Sequence, residues 1–76
     1  MPFVNKFRLL QDYRDRIKAI RENAYNAETA DILICSLVCG LDAAVYHAMG
    51  IRDESAAVLA SVVAELENDL ANHKVG

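Results

Sequence analysis

The fold is decided by residues 32–49, which read ILICSLVCGLDAAVYHAM. The run is too long for one strand, and a strand over 32–38 would account for its first part alone. Asn26 ahead of it is a residue that caps helix N-termini, and Gly50 behind it can close a helix in the left-handed conformation. We therefore expect one helix over residues 27–49.

The segments on either side have helical periodicity of their own. Apolar residues recur at spacings of three and four over residues 3–24, and again over 54–73, which follow a capping residue at Asp53 or Ser55. One Pro and three Gly in 76 residues leave little material for the turns of a many-stranded fold. We expect a single all-α domain over residues 1–76, with the first two helices forming a long hairpin and the third docking across it.

The middle helix is apolar around nearly its whole circumference. The exceptions are a narrow strip of small or polar residues: Thr29, Ser36, Gly40, Ala43 and His47. This strip either faces water or allows another helix to approach closely. An amphipathic helix buries a stripe about 100° wide, and two neighbours from the same chain cannot cover a much wider one. The sequence therefore predicts a homodimer, or an interface with another protein, through Leu33, Leu37, Val38, Leu41, Val45 and Met49.

Charge is divided unevenly along the chain. The first 25 residues carry six Lys or Arg against three Asp or Glu, and the remainder carries two against eight, so that +3 and −6 sum to −3. Cations and aromatic residues form one stripe on the first helix: Phe7, Arg14, Lys18, Arg21 and Tyr25. The stripe can pair with the acidic half of the chain, or it can bind phosphates and stack on bases. The acidic pI near 5.2 favours internal pairing.

Asp42 lies among apolar residues in the middle helix, where a carboxylate is costly to bury unless it is paired. We predict that Asp42 is a buried charge partner, which meets Arg14 or Arg21 or accepts a hydrogen bond from Tyr46 one turn further on. Its presence, with that of His47, also disfavours a membrane span, because Asp at the centre of a span costs about 2.5–3.5 kcal/mol.

Cys35 and Cys39 are neighbours on one helix face, where helical geometry does not readily place two sulfurs for a disulfide. A metal site needs two more ligands, and neither His47 nor His73 is well placed, although a dimer can bring two pairs of thiols together. The preferred interpretation is a pair of small buried thiols. His47 has no Ser, Cys or carboxylate at helical neighbour spacing that would make it a general base.

These observations predict a function in binding rather than in catalysis. We expect no enzymatic activity, no catalytic residues, no cofactor, no metal and no membrane partner, and the lack of a signal-peptide pattern predicts a cytoplasmic protein. The primary hypothesis is a small protein-binding regulator, adaptor or inhibitor that acts through helical faces. The alternatives are an RNA- or DNA-binding helical dimer using the basic stripe, and a metal or redox module at the cysteine pair.

Overall fold

The fold consists of three helices, which a computed structural model describes over residues 5–75, with side chains to residue 73. The helices are α1 (Lys6–Asn23), α2 (Ala27–Gly50) and α3 (Ser55–Val75), and no strand occurs within that range. The all-α, three-helix prediction is confirmed. The predicted start of the first helix at residue 3 lies outside the described residues.

The first two helices begin at asparagine caps. Oδ1 of Asn5 accepts a hydrogen bond from the backbone N–H of Arg8 at 3.2 Å, and Oδ1 of Asn26 accepts one from that of Thr29 at 2.7 Å. Each bond satisfies a donor that the first helical turn leaves without a partner. The predicted cap at Asn26 is therefore confirmed.

The end of α2 differs from the prediction. Gly50 stays in the helix, and it is Arg52 that takes the left-handed conformation, with φ of 57°. The N–H of Asp53 bonds to the carbonyl of Ala48 at 2.8 Å, and the N–H of Arg52 bonds to that of Met49 at 3.1 Å. These two bonds form a Schellman motif. An arginine thus occupies the position that glycine usually takes, because the helix runs through Gly50 before it ends.

The helices form an elongated bundle of 39 × 21 × 21 Å. Their connections, residues 24–26 and 51–54, are short, which makes consecutive helices antiparallel neighbours. The most extensive pairing joins α2 to α3, and the interface between α1 and α2 is the smallest. The hairpin expected between the first two helices is therefore not the main pairing. α1 packs on α3 through the shared core, and ion pairs from Lys6 to Glu65 and from Arg14 to Asp69 also join the two helices.

The core draws on all three helices. Val62 and Leu66 of α3 are its largest fully buried side chains, and they belong to one cluster with residues of α1 and α2. The contributions of α1 and α2 to this cluster are Leu10, Ile17, Ile34, Val38, Leu41 and Val45. Because these four α2 residues recur at spacings of three and four, they cover a single side of that helix. The rest of the circumference of α2 is left outside the core.

Candidate functional site

The structure divides the predicted α2 interface between core and surface. Val38, Leu41 and Val45 are buried in the chain's own core, and Leu37 is half-buried against it. The assignment of the three buried residues to a partner surface is therefore wrong, since α1 and α3 already cover that side. Leu33 and Met49 of the same prediction are 46% and 59% exposed. Helical periodicity could not separate the two groups, because no broad polar face marks the outer side of α2.

A second set of exposed side chains on α2 was missing from the predicted interface. Ile32 and Tyr46 are 61% and 69% exposed, and Cys35 and Cys39, also exposed, lie between them. The spacings of three, four and seven residues put all four on one face of the helix. We call this face, made of Ile32, Cys35, Cys39 and Tyr46, the outer strip. Its heptad-like spacing is the signal that could have identified it from the sequence.

The two thiols of the outer strip lie close together. Sγ of Cys35 is 3.8 Å from Sγ of Cys39, and both residues are exposed, so the preferred interpretation of buried thiols is wrong. The hydrogen bond with Cys35 is the main reason that the pKa of Cys39 is raised. The charge of Cys35, desolvation and the carboxylates of Asp42 and Glu67 act in the same direction.

A cleft of about 260 Å³ opens beside these thiols, between α2 and the C-terminal half of α3. Asp31, Cys35 and Cys39 line its α2 side, and Glu67 and His73 line its α3 side. These are metal-ligating residue types, but they are spread along the cleft. Among the residues that the structure describes, no three His, Cys, Asp or Glu side chains are grouped closely enough to hold a metal ion.

The predicted charged stripe of α1 is brought together in part. Arg14, Lys18 and Arg21 line one groove of about 250 Å³ between α1 and α3. Phe7 and Tyr25 are exposed outside this groove, so the aromatic residues do not bracket the cations as predicted. The groove therefore has cationic side chains, but neither Phe7 nor Tyr25 lies in it for a base to stack on.

Arg14 has an internal partner, as the preferred interpretation of the stripe predicted. Its Nε donates to Oδ2 of Asp69 at 2.7 Å, and its Nη2 donates to Oδ1 at 3.1 Å. This hydrogen bonding raises the pKa of Arg14. Desolvation acts in the opposite direction, and the charges of Asp69 and Glu65 raise the pKa further. Glu22 also lines the groove. Two carboxylates thus offset much of its positive charge.

Asp42 does not have the partner predicted for it. It is half-buried, and the ion pairs among residues 5–73 are those of Lys6 with Glu65 and Arg14 with Asp69. Tyr46 is exposed and forms no hydrogen bond with it. Because Asp42 lies beside the uncovered part of α2, its carboxylate keeps contact with water and needs no buried cation.

Two observations bear on the class of protein. By length and composition alone, α2 is long and apolar enough to cross a membrane. Core helices of proteins outside membranes meet the same criterion. In the bundle, 28% of the most apolar stretch of α2 is buried. The chain matches no protein-family model, and comparisons with curated proteins and with solved structures give no match. The surface of the bundle is therefore where features that bear on function are found.

Proposed function

We propose that the chain is a non-enzymatic protein-binding module, a small regulator, adaptor or inhibitor, which dimerises through the uncovered side of α2. The observation that carries the proposal is the outer strip, in which Ile32 and Tyr46 stand more than half exposed on one helix face. Single exposed apolar residues are common on protein surfaces, whereas contiguous apolar patches mark interaction sites. Fully burying a side chain such as Ile32 contributes about 1.5–3 kcal/mol.

A second copy of the chain is the occupant that the outer strip favours. Its four side chains carry no charge, and the two thiols lie between Ile32 and Tyr46. A two-fold axis near the thiols packs two α2 helices antiparallel and brings Ile32 of each copy towards Tyr46 of the other. The same uncharged face is then buried on both copies.

The test is the molar mass of the full chain by size-exclusion chromatography with light scattering, without detergent. We expect the mass of two chains for the natural sequence and of one chain for the double variant Ile32→Glu, Tyr46→Glu. Substituting Ala19→Glu and Ala60→Glu, both at exposed positions on α1 and α3, adds the same charge away from α2 and should leave the dimer intact. Circular dichroism checks that all variants stay helical.

Two results would contradict the proposal. One is a single-chain mass for the natural sequence at every concentration, which would mean that the outer strip stays exposed to solvent. The other is a protein that stays in solution only when detergent is present, which would point to a lipid environment for α2.

Nucleic-acid binding is the second candidate, because Arg14, Lys18 and Arg21 line one groove. Phosphate contacts make affinity fall steeply with salt. Salt-dependent retention on heparin that disappears in Lys18→Ala, Arg21→Ala would favour this candidate over protein binding. An Arg8→Ala, Arg16→Ala variant, which loses two exposed cations outside the groove, is the matched control. Elution without retention at low salt would remove the candidate.

A further inference from the structure

The distance between the two thiols of the outer strip matches the geometry of a tetrahedral metal site. Sγ of Cys35 and Sγ of Cys39 are 3.8 Å apart. A zinc–sulfur bond is about 2.3 Å, so two sulfurs on one tetrahedral zinc ion are separated by about 3.8 Å. A disulfide would require the sulfurs to approach to about 2.05 Å. The pair is therefore spaced for sharing a metal ion, and a disulfide would require the helix to distort.

A single chain supplies half of such a site. Glu67 and His73 line the same cleft, yet no third ligand is grouped with the two thiols among the residues described. Both thiols are exposed, and they occupy the middle of the outer strip, between Ile32 and Tyr46. A molecule that covers the outer strip therefore contacts both thiols on their exposed side.

We propose that Cys35 and Cys39 of two copies together bind one thiophilic cation of the zinc class in a four-thiolate site. The proposal rests on the self-association proposed above, which places the outer strip of one copy against that of another. Structural zinc sites have four protein ligands and no open position, and four cysteines are one of their usual ligand sets. The dimer completes a site that neither copy contains.

The chemistry involves no change of oxidation state. Four metal–sulfur bonds form, four thiol protons are released to solvent, and the divalent cation keeps its charge. Because the metal binds the dimer and has no preformed site in a single chain, its binding free energy stabilises the dimer. The metal would then act as a structural link across the interface.

The test is a titration of the reduced, metal-free full chain with Co²⁺, followed by Zn²⁺. We expect thiolate-to-cobalt charge-transfer bands and the strong visible absorption of tetrahedral Co²⁺, saturating at one ion per two chains. Zn²⁺ should abolish the absorption, and native mass spectrometry should show two chains with one zinc ion. Cys35→Ser and Cys39→Ser should each lose the charge-transfer bands, whereas Ser36→Ala, on the same helical turn, should keep them.

The outcomes separate this proposal from the proposed function. A two-chain mass without any cobalt signal would overturn the shared site and leave self-association standing. A cobalt signal that saturates at one ion per chain would also overturn it, since the site would then be complete in a single copy. A single-chain mass with and without metal would overturn both proposals.

Discussion

Arg14 of α1 donates two parallel hydrogen bonds to the carboxylate of Asp69, which lies on α3 and 55 positions further along the chain. The paired geometry is specific to a guanidinium, because the ammonium of lysine cannot present two parallel donors. The pair joins α1, the first helix, to α3, the last. The contact between α1 and α2 is the smallest of the three helix–helix contacts. The pair is therefore one of the contacts that join α1 to α3.

We predict that Arg14→Lys and Asp69→Asn each lower the midpoint of thermal unfolding. The double variant should lose less than the sum of the two single losses, because both substitutions remove the same interaction. A thermal double-mutant cycle measures this difference, with Arg8→Lys, at an exposed position on α1, as the control. Strictly additive losses would show that the pair contributes nothing to stability.

Replacing Arg52 by glycine should stabilise the fold by about 1 kcal/mol, because the left-handed conformation costs a residue with a Cβ roughly 1–2 kcal/mol. Arg52 has a φ of 57° and lies at the glycine position of the Schellman motif. Chemical denaturation of Arg52→Gly measures the gain. Arg52→Ala removes the same charge but keeps the Cβ, so an equal gain in that variant would rule out the backbone explanation.

Gly40→Ala should raise the unfolding free energy of the chain by about 0.5–1 kcal/mol. Gly40 is in the middle of α2 without a positive φ, and an added Cβ would meet no atom within 4 Å. We expect the dimer dissociation constant to stay unchanged, because Gly40 lies away from the outer strip. Ala43→Gly, one turn on, should lose a similar amount of stability.

The same Gly40→Ala variant decides between the two interpretations of the small-residue strip. An unchanged dissociation constant in sedimentation equilibrium supports a solvent-facing strip. A weaker dimer from a more stable chain would mean that a helix of the partner copy approaches closely at Gly40.

Removing the thiol of Cys35 should make Cys39 more reactive at neutral pH. The hydrogen bond with Cys35 is the largest cause of the raised pKa of Cys39, because it favours the protonated thiol, so Cys35→Ala should lower that pKa towards its ordinary value. A lower pKa leaves more thiolate at neutral pH, and the thiolate is the nucleophile. Asp42 and Glu67 remain nearby and oppose a complete return.

The rate of alkylation of Cys39 by iodoacetamide in the metal-free protein, followed by mass spectrometry as a function of pH, measures this change. The midpoint of the rate profile should move to lower pH in Cys35→Ala and stay in place in Ser36→Ala. An unmoved midpoint in the first variant would show that the two thiols do not interact in solution.

The carboxylate of Asp53, at the start of α3, makes the stability of the fold depend on pH. Its Oδ1 accepts hydrogen bonds from the backbone N–H and the hydroxyl of Ser55, both at 2.8 Å, and these bonds lower its pKa. A carboxylate whose pKa is lower in the folded state stabilises the fold above its unfolded-state pKa. That contribution is lost as the pH falls through the folded-state pKa.

We therefore expect the natural chain to lose thermal stability in acid more steeply than Asp53→Asn, whose side chain does not titrate. The difference between their unfolding midpoints should be largest near neutral pH and vanish in acid. Glu54→Gln removes a neighbouring exposed carboxylate and should leave the acid slope unchanged. Parallel curves for the natural chain and Asp53→Asn would contradict the link.

The sequence by itself determined the helices, because their signals are local. Periodic apolar residues, the scarcity of Gly and Pro and the cap at Asn26 act within one or two helical turns. The end of α2 was placed within one residue for the same reason. The sequence also showed that α2 has more apolar circumference than an amphipathic helix buries.

Only the tertiary structure decided which part of that circumference is covered. Val38 and Leu41 became core, and Ile32 and Cys39 became surface, although all four belong to one apolar helix. The physical reason is that the packing of α1 and α3 depends on contacts between residues far apart in sequence, such as those that bury Leu10 of α1 and Leu66 of α3 in one core. Local periodicity carries no information about those contacts when apolar residues surround the helix.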